Sequence, residues 1–192
     1  MRTLFKYGGI AASVVLIAFG AGSIAIGAWG ISTVRDNLKQ EQIYFGDHAT
    51  DPAVPAGLSG KQVRTGSQAH EFAGMMRKHA LEATGGQVYA QMGRFLDPKG
   101  NPTSDESKAA KDPKTGQPVE NGKRNLWVTE TALTTALSMA YFGERVGVFG
   151  IVMGIALLLT GIGFLVLTLG GALERKAATA AEAFRHPATA TN

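Results

Sequence analysis

The residues of this chain that could do chemistry are few. None of its 192 residues is cysteine, which excludes thiol nucleophiles, disulfides and thiolate metal sites. The histidines are His48, His70, His79 and His186. His70 and His79 lie nine residues apart, which on a helix of about 3.6 residues per turn puts them on opposite faces, unable to share a metal. Glu71, Met75 and His79 follow an i, i+4 row and form a local set able to hold a soft metal or haem iron. His79 also falls on an apolar stripe, where a packed, hydrogen-bonded histidine is the commoner outcome, so no resident metal or cofactor is expected. Asp105, Glu106 and Asp112 lack the Asp-x-Asp-x-Asp-Gly order of a calcium loop and read as solvated turns. No phosphate-binding glycine loop, His-Glu-x-x-His or Gly-x-Ser-x-Gly occurs. The expectation is a protein without catalytic residues, and not an enzyme.

The elements that must position these groups are dominated by two apolar runs. Residues 7–34 and 146–173 contain no Asp, Glu, Lys or Arg. Each run is 28 residues, about 42 Å as a helix, against a hydrocarbon core of roughly 30 Å. The fold class expected is mainly α in a membrane: a two-span helical hairpin with a small, partly irregular extracytoplasmic domain at 35–145. The first run exceeds the 7–15 apolar residues of a secretory signal. Although Ala25-Ile26-Gly27 would pass as a cleavage site, the run reads as an uncleaved anchor. Arg2 and Lys6 precede the first span, and Arg175, Lys176 and Arg185 follow the second. The positive-inside rule then puts 1–6 and 174–192 in the cytoplasm of a plasma membrane. Phe5, Tyr7, Trp29, Tyr141 and Phe142 sit where interfacial aromatics belong. Segment 35–145 carries 14 basic and 13 acidic residues, a balance that gives no nucleic acid a basic stripe to grip.

Thirteen of the 25 glycines fall within the two runs. Gly9, Ser13, Gly20, Ser23, Gly27 and Gly30 recur at steps of three and four, with Leu16 in the gap. Gly147, Gly150, Gly154 and Gly161 repeat the rhythm, with Leu157 in the gap and Gly143 just before. Such stripes let helix backbones approach closely in lipid, where hydrophobic burial no longer drives association. They predict that the spans pack on each other, or that either stripe faces another subunit. Glycine is also simply frequent in membrane helices. Neither span carries an ionisable group of the kind that marks an ion path, so transport by this chain alone is not expected.

Between the spans, the first helix is expected to extend through Gln40, and Ile43-Tyr44-Phe45 to form a short strand. The next helix is predicted over 67–83, stopped by Gly85-Gly86. Ala69, Phe72, Met76, His79, Ala80 and Ala83 form its apolar stripe, which docks on the membrane-proximal extensions. Residues 97–124 are rich in turn formers, with Asp97-Pro98-Lys99-Gly100 and Asp112-Pro113-Lys114 alike, and read as a flexible loop. A helix resumes over about 127–142 and continues unbroken into the second span. Leu133, Ala136, Leu137, Ala140 and Tyr141 share one of its faces, and Thr131, Thr134, Thr135 and Ser138 the other.

His79-Ala80-Leu81-Glu82-Ala83-Thr84-Gly85-Gly86, followed by Tyr89-Ala90 and Arg94, resembles a segment of small actinobacterial two-span membrane proteins. Those proteins often carry the label "aromatic ring-opening dioxygenase LigA". About two thirds of the chain shares the resemblance, and 97–124 looks like an insertion. The resemblance implies a membrane location and an actinobacterial source. The label implies non-haem iron held by two histidines and a carboxylate. Three functions are therefore weighed. The first is a non-catalytic accessory or scaffold subunit of a membrane complex, with the bilayer and another membrane protein or a second copy as partners. The second is an extracytoplasmic ligand-, metal- or haem-binding sensor, and the third a ring-opening dioxygenase.

Overall fold

All seven prolines lie outside residues 2–40 and 122–169, so nothing in either stretch removes a helical N–H or forces a kink. The computed structural model describes residues 2–170, and side chains from residue 6. The Phe5 side chain, the last residues of the second expected span (171–173) and the 174–192 tail with Arg175, Lys176, Arg185 and His186 lie outside the described residues. Three helices carry the mainly helical fold: α1 Arg2–Gln40, α2 Gly66–Thr84 and α3 Gly122–Leu169. Two of them are long and apolar enough to cross a membrane, within Lys6–Gln40 and Gly122–Leu169. Only 11% of the most apolar stretch of each is buried, unlike the core helix of a soluble domain. The chain divides into two compact units, one formed by its two ends and the other by Ser32–Arg145.

In the first unit α1 and α3 meet along small residues. A Cβ on Gly9 would stand 2.6 Å from Thr168 Oγ1, one on Gly20 2.7 Å from the Gly154 carbonyl, and one on Gly27 2.6 Å from the Gly147 carbonyl. The order 9, 20, 27 against 168, 154, 147 makes the two segments run in opposite directions. Gly161 faces Ile17, with 2.8 Å for an added Cβ, and Gly150 lies more loosely against Ser23. Gly30 has nothing within 4 Å and stands outside this seam. Ser13, fully buried in it, donates its hydroxyl to the Gly9 carbonyl at 2.7 Å, and Thr168 to Phe164 at 2.7 Å. Such back-bonding satisfies a hydroxyl within its own helix. Large side chains such as Phe19, Ile26, Trp29, Phe149 and Leu159 point away, more than 60% exposed.

The second unit has a conventional core. Leu38 of α1, Phe45, Val54, Val63, Ala69, Ala73 and Met75 of α2, and Leu137 of α3 pack together. Phe45 and Phe72 meet edge to face at 5.2 Å. The backbone around Ile43-Tyr44-Phe45 pairs with 61–63 through a single bridge, Tyr44 to Gln62, rather than a strand. α2 is capped at both ends. Thr65 Oγ1 accepts from the Gln68 N–H, Gln68 Oε1 accepts from the Thr65 N–H, and Gly85 closes the helix at φ 70°. Gly66 is obligatory for another reason, because a Cβ there would sit 2.8 Å from Tyr141 Cα.

Two features of this unit go beyond what the sequence pattern described. Residues 97–124, read from composition as a flexible loop, form an assembly of turns and short bridges. β1 Phe95–Leu96 pairs antiparallel with β2 Pro102–Thr103, and bridges join Phe95 to Glu120 and Lys111 to Pro118. Backbone and aspartate hydrogen bonds run through it, and Phe95 and Ala109 are its buried apolar side chains. Asp97 Oδ1 accepts from the Lys99 and Asn101 N–H groups at 2.8 Å each, and Asp112 Oδ1 from those of Lys114 and Thr115 at 2.8 and 2.9 Å. Both carboxyls are held below the usual aspartate range, Asp97 mainly by the Asn101 N–H and Asp112 mainly by that of Thr115. The face of α3 also differs. It starts at Gly122, capped by Asn121 Oδ1, and buries Trp127, Glu130, Thr134, Leu137 and Glu144. Leu133 is half exposed, while Thr134 turns inward.

Candidate functional site

The side chains singled out by sequence spacing do not converge. Glu71 is exposed, Met75 is buried in the core, and His79 is half exposed with its Nε2 2.9 Å from Asp51 Oδ2. The Ala53 N–H holds the Asp51 carboxyl below its usual range, with His79 adding to the effect. His48 Nδ1 lies 2.5 Å from the Val54 carbonyl, and His70 stacks on Tyr141 at 4.7 Å. Among the described residues no group of three His, Asp or Glu side chains stands where it could hold a metal ion. The motif His79–Gly86 forms the last turns of α2 and its cap. Ala80 packs with Met92 and Trp127, and Leu81 packs against them. Glu82 and Leu81 offer carbonyls to Gly85 and Gly86, and Tyr89 receives the Arg124 guanidinium over its ring at 4.0 Å.

Two buried carboxylates on α3 escape a reading based on apolar periodicity. Glu144 accepts from Arg35 Nε at 2.9 Å and Nη2 at 2.5 Å through one oxygen, and from the Gly66 N–H through the other. It thus joins α1, α3 and the positive end of α2. Glu130 takes Arg77 Nη1 at 3.1 Å on Oε2, and that guanidinium lies 4.6 Å over the Trp127 ring. The Glu130 side chain is 4% exposed, and its Oε1 is buried without a hydrogen-bond partner. Trp127, Glu130, Thr134, Leu137, Tyr141 and Glu144 recur at three- and four-residue steps. That rhythm was the available signal, hidden because its polar members look like a solvent face.

Leu133, Ala136, Leu137 and Ala140, which share a face of α3 with Leu137 in the core, also line a groove. Val34, Leu38, Ile43, Phe72 and Met76 also line it, with the polar Asn37 and Glu41, around an open hollow of about 610 Å³. A second hollow of about 310 Å³ shares Met76 and Leu133 with it and continues to His79, Ala80, Ala83, Leu126, Thr129 and Glu130. Both hollows have a largely apolar lining, with Asn37 and Glu41 at the wider one and His79, Thr129 and Glu130 at the narrower. Both volumes fall in the range of about 300–1,000 Å³ typical of small-molecule sites.

No protein-family model matches the chain, and neither the curated proteins nor the solved structures contain a significant match.

Proposed function

We propose that this chain is an integral plasma-membrane protein with both ends cytoplasmic and residues 35–145 outside, serving as a non-catalytic accessory or scaffold subunit of a membrane complex. The uncovered apolar surface of its two long helices carries this reading. With their small residues turned to each other, the helices still present Phe19, Ile26, Trp29, Phe149 and Leu159 outward. That surface suits acyl chains and the flank of another membrane protein. The basic residues of the two ends favour the orientation. The test is gentle solubilisation of native membranes, recovery through a C-terminal tag, and mass spectrometry of the companions. A stoichiometric membrane partner is the expected result. A solitary chain would sink the accessory reading.

A second reading, an extracytoplasmic ligand-binding module, is favoured by the groove between α1, α2 and α3. The dioxygenase reading has less support, since His48, His70 and His79 are each engaged with a group other than a shared metal position. Purified protein with stoichiometric iron and a catechol-cleaving activity would restore it.

A further inference from the structure

The helices of the second unit differ in what they expose. α2 exposes Glu71, Lys78 and Glu82, and the extension of α1 exposes Arg35, Asp36 and Lys39. On α3, residues 125–143 hold one charged side chain, Glu130, and it is buried against Arg77. About five turns of this helix therefore present no charge to the outside. They present Val128, Ala132, Thr135, Met139 and Phe142 instead, all exposed, with Val128, Met139 and Phe142 at 51, 60 and 60%. A surface helix ordinarily turns charged and polar groups that way. Thr135 adds little polarity, because its hydroxyl donates within the helix to the Thr131 carbonyl at 2.7 Å.

The steps between these positions are four, three, four and three, and Val146, Phe149 and Met153 carry the rhythm on along the same helix, all exposed. A seven-residue repeat held over about three to four heptads is the pattern of a seam between coiled helices, so the occupant is another helix. The residues flanking the outer part of the seam, Thr129, Thr131, Ala136 and Ser138, are neutral as well. That neutrality favours one occupant. In a parallel pair of identical helices each side chain meets its own copy, so any charge on the face would meet its like. A partner of different sequence imposes no such condition, since it can answer charge with charge. A second copy also enters the membrane at the same depth and in the same direction, which sets the register.

We propose that α3 pairs with α3 of a second copy in a parallel, left-handed coil, with Val128, Ala132, Thr135, Met139 and Phe142 along the seam. This goes beyond the accessory reading and rests on its placement of residues 35–145 outside the membrane.

The chain contains no cysteine, so single introduced cysteines report the pairing cleanly. Full-length protein in native membranes carries Ala132→Cys, Thr135→Cys or Met139→Cys, with Leu133→Cys as an exposed control off the seam, and is oxidised with copper phenanthroline. A disulfide needs Cβ atoms about 3.5–4.5 Å apart, so the seam positions should give a covalent dimer about tenfold faster than the control. Phe142→Glu, at an exposed site where the new charge would meet its copy, should lower the Thr135→Cys dimer about tenfold and leave the circular dichroism unchanged. Equal rates at seam and control, or a Thr135→Cys dimer untouched by Phe142→Glu, would overturn the proposal. So would the absence of any dimer. A membrane-impermeant maleimide then tells a face covered by another protein, where Thr135→Cys stays unlabelled, from one left open. Glu71→Cys, exposed on α2, should take that label from outside. Failure there would overturn the placement, and the oxidation rates would still decide the pairing.

Discussion

The two units of this chain solve opposite packing problems with the same two helices. Residues 6–31 and 146–170 come together where side chains are missing, and backbone meets backbone at Gly20 and Gly154 and at Gly27 and Gly147. In 32–145 the same helices come together through side chains, with an apolar core and two buried carboxylates held by arginines. In the membrane placement proposed for the first unit, where water is excluded on the outside as well as the inside, a helix gains nothing by hiding apolar groups, and close approach is the attraction that remains. Where water is present, apolar burial supplies the drive and paired charges set which faces meet.

The largest expected effect comes from filling the seam. Gly154→Leu would push a side chain against the Gly20 carbonyl and Ile24, while a Cβ added at Gly22, as in the control Gly22→Leu, meets nothing within 4 Å. Overpacking a close contact costs about 1–3 kcal/mol or more. Unfolding of the two variants in mixed micelles should therefore differ by at least that amount, and equal stabilities would mean that the seam does not hold the helices.

Next in size is Glu144→Ala, which leaves the Gly66 N–H and Arg35 without their acceptor. Arg35 is 48% exposed and rehydrates easily, so the loss is about 1–3 kcal/mol rather than that of a fully buried pair. Thermal melts followed by circular dichroism would show it. Glu130→Leu should cost less than Glu144→Ala, because it also removes an oxygen without a partner, and Arg77, 37% exposed, can rehydrate after losing its acceptor. A loss at Glu130 as large as at Glu144 would erase the distinction drawn between the two carboxylates.

The smallest effect is in the turn assembly. Asp97 and Asp112 are held below the ordinary carboxyl value of 3.8, so their contribution is complete above that value. It is lost as the pH falls through their lower folded values. Amide resonances of Asn101 and Thr115 should hold steady from pH 7 to 5 and shift only below about 3.8. Asp112→Asn should abolish the Thr115 transition and leave that of Asn101. A transition near neutral pH would contradict the turn geometry.

Much of this fold was legible in the order of residues. The apolar runs, their small-residue stripes, and α2 with its glycine stop all rest on local rules: hydropathy over a span's length, a period near 3.5, and φ > 0 at Gly85. Less was legible of the candidate site. Hydrophobicity directed attention to Leu133 and Ala136, which line an open groove, and away from Glu130 and Glu144, which are buried. Asp97–Arg124 looked unstructured because it has few apolar residues, yet aspartate-centred turns and short bridges organise it. The value of an Asp-Pro-Lys turn depends on which N–H groups come within reach, and composition does not record that.

By itself the sequence determined two helices able to cross a membrane, a capped amphipathic helix between them, and the absence of cysteine chemistry. Each follows from properties of neighbouring residues. Only the tertiary structure decided that Gly30 stands outside the seam, that Arg35 and Arg77 meet carboxylates on α3, and that one buried oxygen of Glu130 is left without a partner. The reason is physical. The cost or worth of a buried charge depends on groups brought near it by folding, here 109 residues away for Arg35 and Glu144, and no local pattern encodes that distance.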